Sequence, residues 1–438
     1  MTNHSLKISL SERQLYDESY KILIFDLSRH IHLPSYLQYL IEYWQARQFL
    51  ASLNILVWHT FLADHSDVVE LASKQNFQNI NFLTLSREEK RTKLDLELNK
   101  TTNRVRFSEL LKSNSETDYA ALYDWELFCK YAQSLGVNKG FIIHIDTYLP
   151  LLAAGIDSPI PVSGIYFQPS FHYGKFLADE PKKEGNARLF REKFMLSRCL
   201  QNPHLKTLFC LDPFAVEPVS KISSKATVLY VPDPVKITRP AQEDLEKLKQ
   251  CLNIQRGRKI FLLFGHLTSR KGVEQLLEAI KYLPVEICQQ TCLLLVGCIH
   301  PDYQALVEAK IDLIQHSFPV QIVRNYQFVS KDEVSLYFHL ADIVATPYQH
   351  HIGMSGIVLL AAAAQKPLLS SNYGLMGELV RRYSLGIHVD SSNPEEIAKG
   401  IIHCVHKPAE KLQAFSQAQA LVKVHSADKF ASILFQNF

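Results

Sequence analysis

Short, almost wholly apolar runs alternate with longer segments of helical spacing along most of this chain. Lys21–Asp26 (KILIFD) predicts a first strand, residues 36–50 a helix, 54–58 a second strand, and 141–145 and 163–167 later strands. Strands that are apolar on both faces and separated by helices predict a parallel sheet covered on both sides, which is a doubly wound α/β lobe. From Pro213 to Pro240 the pattern dissolves into Pro, Ser and Lys around Val231-Pro232-Asp233-Pro234-Val235, and this predicts a linker or hinge. A second series follows: strands at Lys259–Phe264, 292–296, 320–323 and 343–345, with helices at 272–282, Lys331–Leu340 and 357–364. The repetition predicts a second Rossmann-like lobe of the same class, the two lobes facing a cleft. Ligands of open α/β sheets bind beyond the carboxyl ends of the strands, so the loops there are the places to look for chemistry.

Composition narrows the class further. Of 438 residues, 47% are hydrophobic and 21% charged, enough to bury a core and too apolar for disorder. Lys plus Arg (47) nearly balances Asp plus Glu (44), and a net charge of +3 is too small for a nucleic-acid footprint over the whole surface. An anionic partner must meet a local patch. Eight scattered cysteines, most in apolar contexts such as Leu208-Phe209-Cys210, read as reduced thiols. Cys288 and Cys292 lie four apart with no second Cys or His pair at finger spacing, so no metal is expected. The N-terminus lacks a basic head followed by an apolar stretch, and no window approaches the roughly 18 apolar residues of a membrane span. The expectation is a cytoplasmic protein, with peripheral membrane contact left open.

The richest chemistry follows the strand ending at Phe264: Gly265-His266-Leu267-Thr268-Ser269-Arg270-Lys271-Gly272, then an amphipathic helix. A strand-ending glycine lets backbone approach a ligand, and Arg270 and Lys271 at a helix start add positive charge where free N–H groups favour anions. The segment is either a phosphate or diphosphate seat or a solvated turn.

The surrounding chain tips the balance. Lys259 to Ala345, with Val296-Gly297 after a strand, Phe328-Val329-Ser330-Lys331-Asp332-Glu333-Val334 and Leu340-Ala341-Asp342-Ile343-Val344-Ala345-Thr346-Pro347, resembles the donor lobe of GT-B glycosyltransferases of family 4, as do residues 356–367 and Gly377-Glu378-Leu379-Val380. The resemblance is strong in the C-terminal half and only an outline in the N-terminal half. It implies an acceptor lobe at 1–215, a nucleotide-sugar donor lobe at 216–415 and a helix at 416–438 crossing back to the first lobe. It further implies a retaining hexosyltransferase that uses a UDP- or GDP-sugar as co-substrate and holds no resident cofactor. The acceptor would be a glycan, a lipid-linked molecule or a small molecule.

Carried over residue by residue, the family's roles put Lys271 on the donor diphosphate, with His266 standing where an Arg is usual and Arg270 beside it as a substitute guanidinium. Gly265, His351, Gly353, Ser355 and Gly356 complete the expected donor site. The family's paired glutamates, separated by seven residues, have no counterpart: between Asp342 and Glu378 the chain contains no acidic residue, and Ile352 and Leu360, or Gly353 and Ala361, stand in their places. His172 follows a strand four residues beyond Gln168, which occupies the family's usual histidine position; with Lys271 and Arg270 it makes the catalytic set the resemblance implies.

On the N-terminal side, Arg29, His30 and His32 after the first strand, and His144 and Asp146 after a later one, are acceptor candidates, each open to a purely structural role. The stretch 174–194 mixes Lys and Arg with Phe and Leu and reads as a solvated loop and helix, as a mobile flap or as a surface for anionic lipid. Two other functions stay open: an accessory or carbohydrate-binding subunit that has lost turnover, favoured by the missing glutamates, and a sugar-phosphate isomerase of the same fold.

Overall fold

The computed structural model describes residues 10–28, 33–73, 78–98, 104–105, 117–169, 183–223, 225–407, 412 and 416–437. In the first half the strands are β1 (Lys21–Asp26), β2 (Ser52–Val57), β3 (Ile80–Thr84), a short antiparallel pair β4 (Arg104–Val105) and β5 (Thr117–Asp118), then β6 (Lys139–Ile142), β7 (Val162–Tyr166), β8 (Leu205–Cys210) and β9 (Thr227–Tyr230). In the second half they are β10 (Lys259–Phe264), β11 (Thr291–Val296), β12 (Gln321–Asn325), β13 (Ile343–Thr346), β14 (Leu368–Ser371) and β15 (Gly386–Val389). Among the described residues these form two parallel sheets, ordered β3-β2-β1-β6-β7-β8-β9 and β12-β11-β10-β13-β14-β15.

Register explains why the central strands are apolar throughout. Leu23 and Phe25 pack into one core while Ile22 and Ile24 pack into another on the opposite face, because successive side chains of a strand alternate. Helices cover both faces, so neither alternating set can be polar. The helix Leu33–Arg47 shows the complementary period: Leu33, Tyr36, Leu37, Leu40, Ile41 and Trp44 recur every three or four residues and are buried. Lys331–Leu340 starts where expected because Ser330 and Glu333 form a reciprocal capping box.

The chain divides into two compact units. The first runs through Pro234 and also takes the C-terminal stretch from Ala427; the second is Val235–Ser426. Two expectations need correction here. The segment 213–240 is not continuous linker: it holds the helix Val216–Ser220 and β9, and β9 pairs with β8 from Thr207↔Thr227 to Cys210↔Tyr230, which carries residues 216–234 into the first unit. The strand expected at 141–145 stops at Ile142 and gives way to a 3-10 turn, Ile145–Tyr148.

The C-terminal helix Ala427–Asn437 joins the first unit through aromatic packing. Phe430 lies 4.8 Å from Tyr36, and Phe435 lies 5.3 Å from Trp44 and 5.9 Å from Tyr43, ring centre to ring centre. Burying a phenylalanine contributes about 1.5–3 kcal/mol, so two of them hold this helix firmly. The Thr207 hydroxyl on β8 donates to the Asn437 carbonyl at 2.7 Å. No helix among the described residues is long and apolar enough to cross a membrane.

Candidate functional site

In the second unit the chain lays down β10, β11 and β12 in one direction, then returns to the other side of β10 as β13. The order therefore reverses between β10 and β13, and such a reversal leaves a crevice at the carboxyl ends of the two strands. The loops that leave β10 and β13 both deliver their polar side chains there.

The loop after β10 is shaped by glycines. Gly265 has φ 112° and Gly297 φ 122°, and a Cβ on Gly297 would lie 2.2 Å from the Gly265 carbonyl oxygen. Gly272 has φ 72°, and a Cβ there would lie 1.9 Å from the Pro347 carbonyl oxygen. Only glycine allows the two loops to touch backbone to backbone.

That contact buries Lys271 at the strand end. Its ammonium donates to the Phe264 carbonyl at 3.3 Å and to the Tyr348 hydroxyl at 2.5 Å, and sits 4.2 Å from the centre of the Tyr348 ring. The Arg270 guanidinium lies over the same ring at 5.6 Å, while the Arg270 carbonyl accepts from Gln349 N at 2.7 Å. Tyr348 is thus the shared platform of both cations. It is itself stapled down: its carbonyl accepts from the Tyr373 hydroxyl at 2.5 Å and from the Ser391 hydroxyl at 2.8 Å, and Gln349 donates to the Ser391 carbonyl at 2.7 Å.

His351 ties Arg270 to the glycine loop. Its Nδ1 lies 3.3 Å from Arg270 Nη1 and its Nε2 3.2 Å from the Met354 carbonyl oxygen. Arginine only donates and a carbonyl only accepts, so Nδ1 carries the lone pair and Nε2 the proton. Burial, then the charge of Arg270, pushes the imidazole down to about 4, which keeps this neutral tautomer at pH 7. Gly353 and Ser355 are buried in the same loop, and Ser355 precedes the helix Gly356–Ala363. His266 is exposed and takes no part in the hydrogen bonds of this cluster. Gly265, Arg270, Lys271, His351, Gly353, Ser355 and Gly356 therefore come from two adjoining loops, and Tyr348, Tyr373, Gln349 and Ser391 are the additional residues that fix them.

The acid-free stretch keeps its consequence in three dimensions. Leu360 is half-buried on the helix Gly356–Ala363. Glu378, the first carboxylate after Asp342, is buried and paired with Arg381 and with Arg382 on its own helix, the latter at 2.5 Å. Asp342 accepts from Ile260 N at the amino end of the sheet. The cation pair thus has no carboxylate from its own loop to neutralise it.

The first unit has the same reversal, between β1 and β6. His144 and Asp146 follow β6, as expected, but both are engaged with the loop after β7. Asp146 accepts from Phe167 N at 3.0 Å and Gln168 N at 3.2 Å, and His144 stacks on Phe167 at 4.7 Å. Burial raises the Asp146 carboxyl to about 6, and those backbone bonds oppose the rise. These two residues position a loop. A further acid, Asp26 at the end of β1, was not singled out by its sequence context. Burial raises it to about 7; one oxygen accepts from Ser28 N at 2.7 Å and the other is buried without a hydrogen-bond partner. Nearby, Lys93 pairs with Asp124 at 2.5 Å, and Tyr148 donates to Asp124 at 3.2 Å. Arg29, His30, His32 and His172 lie outside the described residues. No group of three or more His, Cys, Asp or Glu suited to a metal ion occurs among the described residues.

Residues 244–421 match the family model described as glycosyl transferases group 1, so this part of the chain is a domain of that type. An uncharacterized glycosyltransferase of Methanocaldococcus jannaschii is 29% identical over 160 residues, which is 36% of this chain and 39% of that protein, so the match spans about two fifths of the relative. Sucrose-phosphate synthase of Thermosynechococcus elongatus is similar in structure with a TM-score of 0.63 at 15% identity, over 95% of this chain and 98% of that one. HepE of Anabaena, solved in complex with UDP and glucose, gives a TM-score of 0.62 at 15% identity, again over 95% and 98%. The fold is that of the GT-B glycosyltransferases.

Proposed function

We propose that the protein is a glycosyltransferase of group 1 type that moves a hexosyl group from a UDP- or GDP-sugar to an acceptor, with retention at the anomeric carbon. The observation that carries the reading is the buried Lys271 ammonium, held with Arg270 over Tyr348 at the carboxyl ends of β10 and β13. That HepE, of the same fold, is solved with UDP and glucose supports a nucleotide-sugar donor.

In the reaction the bond between the anomeric carbon and the donor's diphosphate oxygen breaks and a bond to the acceptor oxygen forms. The acceptor's proton passes to the leaving diphosphate. Charge therefore develops on the diphosphate, and Lys271 and Arg270 stabilise it where it develops. Because His351 is neutral, it steers Arg270 without competing for the anion. His266, Gly265 and the backbone of Gly353, Ser355 and Gly356 serve the rest of the donor, and no carboxylate nucleophile is needed. His172 is assigned to the donor sugar. The N-terminal unit binds the acceptor through Arg29, His30 and His32, with His144 and Asp146 shaping the neighbouring loop. The family 4 assignment and a cytoplasmic location belong to the same proposal.

Incubating the full chain with a panel of UDP- and GDP-sugars and following nucleotide release by NMR tests the reading. Release from at least one donor, abolished by Lys271→Ala, is expected. The acid-free stretch favours one competing reading, an accessory subunit that binds glycan without turnover. No release from any donor, together with tight binding of a glycan, would leave that reading standing.

A further inference from the structure

From Phe190 to Cys199, the helix Lys183–Cys199 buries one side and leaves another exposed. Leu196 and Cys199 are in the core, whereas Phe190 is 72% exposed and Phe194 46%. The two phenylalanines are four residues apart, on a row shared with Lys193 and Ser197, and these four line an open groove of about 350 Å³ together with Lys221 and Ile222. Among the described residues around this apolar centre the exposed charge is mostly of one sign. Arg191 and Lys193 are exposed and enter no ion pair among the described residues, and Lys225 is exposed beyond Lys221. Among the described side chains the carboxylates at hand are committed: Glu192 accepts from the Tyr166 hydroxyl at 2.7 Å, and Glu217 pairs with Lys221 at 2.5 Å.

We propose that this face docks on an anionic lipid surface, and that the acceptor is a lipid-anchored molecule. Apolar side chains between cations suit the boundary between acyl chains and headgroups, where phenylalanine enters the apolar layer and Arg or Lys meets phosphate. A second copy of the chain is disfavoured, because a symmetric contact through this face would set Arg191 and Lys193 against their own kind. Position supplies the link to the acceptor. Tyr166 is the last residue of β7 and bonds Glu192 in the middle of the same run, so the exposed row lies by the carboxyl edge of the first sheet, the edge at which open α/β sheets bind ligands.

The lipid-anchored acceptor rests on the glycosyl-transfer reading; the lipid docking does not, and the test separates them. The full chain is sedimented with vesicles of phosphatidylcholine alone and of phosphatidylcholine mixed equally with phosphatidylglycerol. Binding to the anionic vesicles only, weakened by salt, is expected. Phe190→Ser with Phe194→Ser should weaken it at least about tenfold, as should Arg191→Gln with Lys193→Gln. All four positions are exposed, so these variants fold, and their UDP affinity should equal that of the parent. No sedimentation with anionic vesicles, or equal binding by the double phenylalanine variant, would overturn the docking. A dimer dispersed by the same variant would assign the face to a second copy and overturn it too. Loss of UDP binding by the unmodified chain would instead count against the transferase reading and leave the lipid result to be judged by itself.

Discussion

Replacing Lys271 by Met keeps the apolar stem that fills the space under Gly265 and removes the ammonium. The structure sets the size of the effect. Nζ makes two bonds to protein, to the Phe264 carbonyl and the Tyr348 hydroxyl, and an ammonium has three donors, so one N–H remains for a ligand. A hydrogen bond to a charged group contributes about 1.5–3 kcal/mol, so nucleoside-diphosphate affinity should fall roughly 10- to 150-fold. Folding should suffer less. The Phe264 carbonyl sits at a strand end that is only half-buried, and what is lost is mainly the partner of the Tyr348 hydroxyl, about 1–3 kcal/mol, against which the relief of a buried charge acts. Calorimetric titration with UDP and GDP, alongside thermal unfolding without nucleotide, separates the two effects. Unchanged nucleotide affinity in a folded Lys271→Met protein would refute the assignment of the seat.

Three further outcomes follow from the same geometry. Gly272→Ala puts a Cβ 1.9 Å from the Pro347 carbonyl oxygen at φ 72°; the left-handed backbone alone costs about 1–2 kcal/mol, so unfolding temperature and nucleotide affinity should drop together, and an unaffected protein would show that the two loops are not in contact. His351 is lowered in the folded state from 6.5 to about 4, so between these values the unfolded chain holds more protons; stability should rise with pH across that window and flatten above it, and His351→Gln should remove this part of the slope in chemical unfolding followed at several pH values. With no carboxylate between Asp342 and Glu378 to hold a ribose hydroxyl, UDP and 2′-deoxy-UDP should bind within about tenfold of each other, and stronger discrimination in competition titrations would reveal an acceptor group not accounted for.

Much of the architecture is legible in the sequence because buried parallel strands are apolar on both faces. Lys21–Asp26 and Lys259–Phe264 run as the hydrophobic pattern predicts, and Lys331–Leu340 starts at a readable capping box. What escapes are β3, β9 and β15, which are short and partly exposed so that alternation is weak, and also β8 and β14, buried strands whose runs are broken by Lys206 and Thr207 or end in Ser370 and Ser371. At the site, Arg270 and Lys271 are visible from their place after a strand-ending glycine. Tyr348 is not, since an aromatic after a proline reads as core until the tertiary fold brings it under two cations 77 residues or more earlier in the chain. Asp146 shows the converse: an acid at a strand end admits either a ligand or a structural role, and its oxygens accept from the backbone of Phe167 and Gln168.

A crystal structure of the full chain with UDP would show whether Lys271 and Arg270 seat the diphosphate. The diphosphate is expected within hydrogen-bonding distance, about 3 Å, of Lys271 Nζ, with Arg270 still braced by His351. UDP bound elsewhere on the molecule, with Lys271 bonded only to Tyr348 and Phe264, would contradict this expectation.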